Sequence, residues 1–215
     1  MATTVDKKAK VQTIVKLLEK EYPDAKTALH FNSPLEILVA TILSAQCTDK
    51  QVNKVTKVLF KKYRTAQDYA NADLAEFEQD IRSTGFYRNK AKNIKNAAKM
   101  LIEEFNAQVP RTMEELIQLP GVARKTANIV LQNAHGVVVG IAVDTHVRRL
   151  SQRLGLSENK DPNKIEADLM EIVPKKQWEQ ISHLLILHGR NVCMARKPKC
   201  DICTLNTLCP SAYKV

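Results

Sequence analysis

Glycine is scarce in this chain, with 6 among 215 residues, and aromatic residues make up only 5%. Strand-rich folds draw heavily on aromatic residues and on glycine at tight turns, so their scarcity favours helices. No Asn-Gly pair or similar signal marks a hairpin, and no run alternates as a half-buried strand does. No low-complexity linker separates two halves. The longest apolar stretch, Leu35 to Leu43, is interrupted by Glu36 and Thr41 and is too short to span a bilayer. The opening MATTVDKKAKVQ has no apolar h-region, so a cytoplasmic protein without a membrane segment is expected. Disulfides are unusual in that compartment.

Hydrophobic residues make up 44% of the chain, enough for one large core or two small ones. Lys and Arg number 33 against 23 acidic residues, a formal charge of +10. A protein this basic meets a polyanion, nucleic acid first, or carries a basic surface for solubility.

Helical spacing recurs along the chain. Residues 8 to 21 place Val11, Ile14, Val15 and Leu18 on one face. Ser33, Pro34 and Glu36 read as a capping box, with proline at the first position of a helix over 35–45. Further helices are expected around Val52 to Leu59, from Asp73 to Gly85, and over 89–105. The pattern continues over 124–134, 145–154, 163–172 and 177–188, with a second box at Thr112 and Glu115. The fold class is therefore all-α, with about ten short helices.

Two segments carry chemistry. In Leu116-Ile-Gln-Leu-Pro-Gly-Val-Ala-Arg-Lys-Thr-Ala127 one helix ends, Pro120 and Gly121 turn, and another begins. This fits a helix-hairpin-helix unit, whose backbone N–H groups can hold a phosphate; an ordinary turn between two helices has the same residues. Cys193, Cys200, Cys203 and Cys209 stand at C-x6-C-x2-C-x5-C. Four thiolates within this span suit tetrahedral zinc or an iron–sulfur cluster equally. Cys47 stands apart and reads as a free core thiol.

Leu119-Pro-Gly-Val-Ala-Arg-Lys-Thr-Ala-Asn128 followed by Val143-Asp-Thr-His146 closely resembles the endonuclease III family of DNA glycosylases. Leu43-Ser-Ala-Gln-Cys-Thr-Asp49, Leu185-Ile-Leu-His-Gly-Arg190 and the cysteine spacing extend the resemblance over almost the whole chain. It implies two all-α domains: a helical barrel over 27–137 holding the hairpin, and a cluster domain from 1–26 with 138–215. It implies a [4Fe-4S] cluster on the four cysteines, and duplex DNA with a damaged base or an abasic site as partner. It implies base removal, chiefly of oxidised pyrimidines, followed by strand nicking. A monomer working on nucleoid DNA is expected.

The resemblance also assigns residues. Lys125 is the implied nucleophile and Asp144 its assisting carboxylate. A neutral amine can attack C1′, and a carboxylate steadies an oxocarbenium-like transition state. Lys125 at a helix start lies at the positive end of the dipole, which favours the neutral amine. Leu119, Gly121 and Ala123 are the implied phosphate-binding hairpin. Arg196, Lys197 and Lys199 in the cysteine loop are expected on phosphates too. Gln46 and Phe86 are the implied residues that fill the hole left by a flipped base. Two departures stand out. Ala123 replaces a usual glycine, which is expected to alter the local backbone slightly, and Phe86 stands where leucine is frequent. Two rivals remain: a monofunctional mismatch-type relative, which typically lacks the lysine, and a non-enzymatic DNA-binding module with a zinc staple.

Overall fold

A computed structural model describes residues 4–215 of the chain. Among them there are eleven α-helices, a few single 3-10 turns and no strand, in line with the all-α expectation. No helix among these residues is long and apolar enough to cross a membrane. The chain divides into two compact units. The central unit is Ala28–Val139, and the split unit joins Met1–Thr27 to Gly140–Val215.

In the central unit, α2 (Pro34–Leu43) buries every residue from Ile37 to Leu43. A helix that is apolar nearly all round belongs in a core, and α2 packs against α3 (Asp49–Lys62), α6 (Tyr87–Glu104) and α8 (Arg124–His135). The short α4 (Ala66–Asn71) and α5 (Leu74–Ile81) lie on α6. Tyr63, Tyr69 and Phe77 close the core with ring centroids 5.2 to 5.8 Å apart. The four-residue α7 (Met113–Leu116) precedes the hairpin.

In the split unit, α1 (Thr4–Glu21) buries Val11, Ile14, Val15 and Leu18. It packs on α10 (Pro162–Ile172) and α11 (Trp178–Asn191). Crossing α11 is α9 (Thr145–Arg153). Gly189 permits the crossing, because a Cβ there would lie 3.0 Å from both His146 Nδ1 and Arg149 Nη2. Beyond α11 the chain holds only two single 3-10 turns.

The caps differ in detail from the sequence reading. Ser33 accepts from the N–H of Glu36, but Glu36 accepts from Asn32 N–H, one residue before the cap. The reciprocal capping box belongs to Thr65 and Asp68. The helix expected over 35–45 ends at Leu43. Residues 44–48 turn instead, with Gln46 at φ 52°.

Candidate catalytic and cluster sites

Seven of the helices α2 to α11 carry a side-chain N-cap: Ser33, Thr48, Thr65, Asp73, Thr112, Asp144 and Asp161. The three without one begin at Tyr87, Arg124 and Trp178. An uncapped helix start leaves amide donors for something other than its own side chains. Two of these three starts adjoin residues that the sequence singled out, Phe86 and Lys125.

The hairpin turn is tightly determined. Gly121 sits at φ 82°, and a Cβ there would fall 2.9 Å from the Asn93 Cβ. Both facts demand glycine. Ala123 lies at φ −90° and ψ 169°, extended backbone open to any residue. The slight distortion expected at this alanine is therefore absent, because the position needs no positive φ. Leu119 is 2% exposed. Its side chain belongs to the core, its N–H donates to the Leu116 carbonyl at 3.1 Å and its carbonyl accepts from Val122 N–H at 3.0 Å, so Leu119 shapes the turn. Lys125, the second residue of α8, is exposed.

Asp144 lies in the split unit as the N-cap of α9. Its Oδ1 accepts from the N–H groups of both His146 and Val147, each at 2.8 Å. Its Oδ2 takes no donor among the described residues, so one oxygen anchors the carboxylate and the other is presented. Burial holds the neighbouring His146 below the usual histidine pKa, against an opposing pull from the Asp144 carboxylate. The imidazole beside Asp144 is thus biased toward neutrality.

Gln46 and Phe86 both belong to the central unit, both are exposed, and both have left-handed backbone, φ 52° and φ 49°. Phe86 is 64% exposed, so it does not fold back as the apolar contact that often follows a C-cap glycine. Cys47, expected in the core, is only half-buried at its rim. The α2 helix stops short of it.

Cys193, Cys200, Cys203 and Cys209 line one cavity of the split unit. Two of the sulfurs accept from N–H donors, Cys193 Sγ from Arg153 Nη1 at 3.3 Å and Cys200 Sγ from Tyr213 N at 3.5 Å, and His188 Nε2 lies 3.3 Å from Cys203 Sγ. Donors aimed at sulfur suit thiolates that carry negative charge on a metal centre. Among the described residues, no group of three or more His, Cys, Asp or Glu side chains is placed to hold a single ion. The four thiols line one cavity, and four cysteine sulfurs are the ligand set that an iron–sulfur cluster takes, so the residues present fit one.

Sequence reasoning missed the residues that hold this loop. Arg149 donates to the carbonyls of Gly189 and Cys193 at 2.8 and 2.9 Å. Arg153 donates to those of Met194 and Ala195 at 2.7 and 3.0 Å. Their i, i+4 spacing on α9 was the available signal. Arg196, Lys197 and Lys199 are exposed on the same loop.

Comparison with known proteins gives a consistent result. The sequence profile of the HhH-GPD superfamily base excision DNA repair protein matches residues 39–175. That of the iron-sulfur binding domain of endonuclease III matches 193–209. Endonuclease III of Synechocystis sp. is 55% identical over 206 residues, covering 96% of this chain and 94% of that protein. Two solved structures are each 48% identical with a TM-score of 0.93 and span 100% of this chain. One is a non-covalent endonuclease III–DNA complex, covered to 98%, and the other a trapped endonuclease III–DNA covalent intermediate, covered to 99%.

Proposed function

This chain belongs to the endonuclease III family of base-excision DNA repair proteins, and from that premise we propose which of its residues carry the reaction. It is a bifunctional DNA glycosylase and AP lyase with an iron–sulfur cluster. In our reading Lys125 is the nucleophile. Its amine attacks C1′ of the damaged nucleotide as the glycosidic bond breaks and the base departs. The sugar ring then opens at the C1′–O4′ bond, with a proton going to O4′, which leaves Lys125 and C1′ joined as a protonated Schiff base. Removal of a C2′ proton then expels the 3′ phosphate oxygen, which nicks the strand on the 3′ side. Asp144 keeps Oδ1 on the α9 amides and turns Oδ2 to the positive charge that grows on the sugar.

The observation that carries this reading is Lys125, exposed in the first turn of a helix with no side-chain cap. The amides around Gly121 and Ala123 would take a phosphate there. Gln46 and Phe86 would fill the space of the extruded base. Cys193, Cys200, Cys203 and Cys209 would hold a [4Fe-4S] cluster, whose iron–sulfur bonds pin the loop bearing Arg196, Lys197 and Lys199 for phosphate contact. In this division of labour the domain over 27–137 supplies nucleophile and wedges, and 1–26 with 138–215 supplies carboxylate and cluster. Every group comes from one chain, so a monomer suffices. Oxidised pyrimidines are the proposed lesions, and nucleoid DNA in the cytoplasm the proposed place of work.

Borohydride reduction of the Schiff base tests the assignment. Lys125→Ala should lose the covalent adduct with an abasic duplex while keeping its helix content. Asp144→Asn should still bind lesion DNA but turn over at least about a hundredfold more slowly, the scale of losing one transition-state contact. Wild-type trapping by the first variant would overturn the nucleophile, and undiminished turnover by the second would leave Asp144 only a cap.

A further inference from the structure

Helix α6 buries Ile94, Ala97, Ala98 and Leu101 along one face. One turn back, that stripe meets Lys90, which is 4% exposed. A buried ammonium is expensive unless it is well paired. No carboxylate among the described residues pairs with this one. Its Nζ donates instead to two carbonyls, those of Leu43 and Thr84, each at 2.8 Å. Leu43 is the last residue of α2, and Thr84 is the last of the 3-10 turn Arg82–Thr84. Neither carbonyl has another partner among the described residues. One cation thus closes two helical C-termini, the ends where a positive charge is favoured.

Both helical ends lead directly into the implied wedge residues. Gln46 comes three residues after Leu43, and Phe86 two after Thr84. Both sit at positive φ, which non-glycine residues leave unless their surroundings hold them. A second, exposed tie joins α3, the helix that follows the Gln46 turn, to the same 3-10 turn, from Gln51 Nε2 to Ser83 Oγ at 2.7 Å. We propose that Lys90 is a positioning residue for base extrusion: it clamps the segments carrying Gln46 and Phe86 together so that both enter the duplex as one wedge. The inference rests on the wedge reading of Gln46 and Phe86 given above. Burial also pulls the Lys90 pKa below the usual lysine value, as a desolvated amine requires. Either charge state can donate to two carbonyls.

The test is a double-mutant cycle on the full iron-loaded protein, read by two substrates. Lys90→Met keeps the volume and removes the donor. It should slow single-turnover base removal from a fully paired lesion duplex by about tenfold or more, since two buried acceptors lose their partner. Cleavage at a pre-formed abasic site, where no base is extruded, should change by less than about threefold. Lys90→Arg should recover part of the loss. In a Gln46→Ala, Phe86→Ala background, Lys90→Met should add less than about twofold, because residues acting through one another are not additive. If the wedge variant alone leaves paired base removal unchanged, the wedge reading falls. If that variant slows it, but Lys90→Met is silent, slows both substrates equally, or adds its full effect, only the Lys90 inference falls. Should Lys90→Met not fold, Lys90→Gln, which reaches one carbonyl, enters the same cycle and non-additivity decides.

Discussion

The two units reach order by different means. The central unit closes on itself through apolar burial, with α2 sunk among its neighbours and three aromatic rings packed on one another. The buried core of the split unit is wholly aliphatic, built from Val, Ile and Leu. After Val192 that core nearly ends, with Leu205 its one fully buried residue in 193–215. This last stretch is held by polar bonds: the Arg149 and Arg153 donors, the contacts to sulfur and the ring of thiols. A core built on burial stands by itself, whereas a loop built on a metal centre has the stability of its ligands.

Breaking the cluster should therefore give the largest effect, and a local one. Cys203→Ala should strip iron and its absorbance near about 400 nm from the protein. Hydrogen exchange should then show amides of α9 and α11 losing protection while those of α2, α6 and α8 keep theirs. Uniform loss across both units would dissolve the contrast. Wild-type protein should carry about four irons per chain, and stoichiometric zinc would reverse the assignment. The matching cut in the central unit is Phe77→Ala, which removes a fully buried ring. It should cost about 3–5 kcal/mol by denaturant melting and leave the iron content intact. A cost below about 1 kcal/mol would mean that the core is far softer than its packing.

The smallest expected effect is a pH dependence confined to the split unit. His183 on α11 has a buried Nε2 without a partner among the described residues, and burial lowers its pKa. A histidine with a lowered folded pKa adds stability above its unfolded pKa, which is lost as pH falls through the folded value. Melting midpoints should thus decline from about pH 7 toward about pH 5. His183→Gln should flatten part of that slope, since His146 and His188 are lowered by burial as well. An unchanged slope in the variant would remove His183 from the account.

Much of the architecture was legible because helical periodicity is written in the order of apolar residues. The faces of α1 and α6 and the caps at Asp73, Asp144 and Thr112 follow from local spacing alone. The six-residue α4 was not, because so short a helix shows no period; its Thr65–Asp68 box was the only sign. The four-cysteine spacing announced a metal centre but not which metal, as zinc and iron–sulfur share the ligand set. Lys90 was hidden by its type, since lysine reads as surface. Only the register of the α6 stripe, extended one turn back, gives it away. Arg149 and Arg153 were hidden in the same manner, as two more cations in a basic chain.

The split unit has a consequence for how the chain is made. Its first helix is synthesised before residues 28–139, while α10 and α11, on which it packs, come after them. At about 5–20 residues per second, α1 waits several seconds or more with Val11, Ile14, Val15 and Leu18 unpartnered. The central unit, continuous in sequence, can complete itself in that interval. The split unit must close over a loop of more than a hundred residues, so it is assembled last. Its four clustered cysteines leave the ribosome later still than α11.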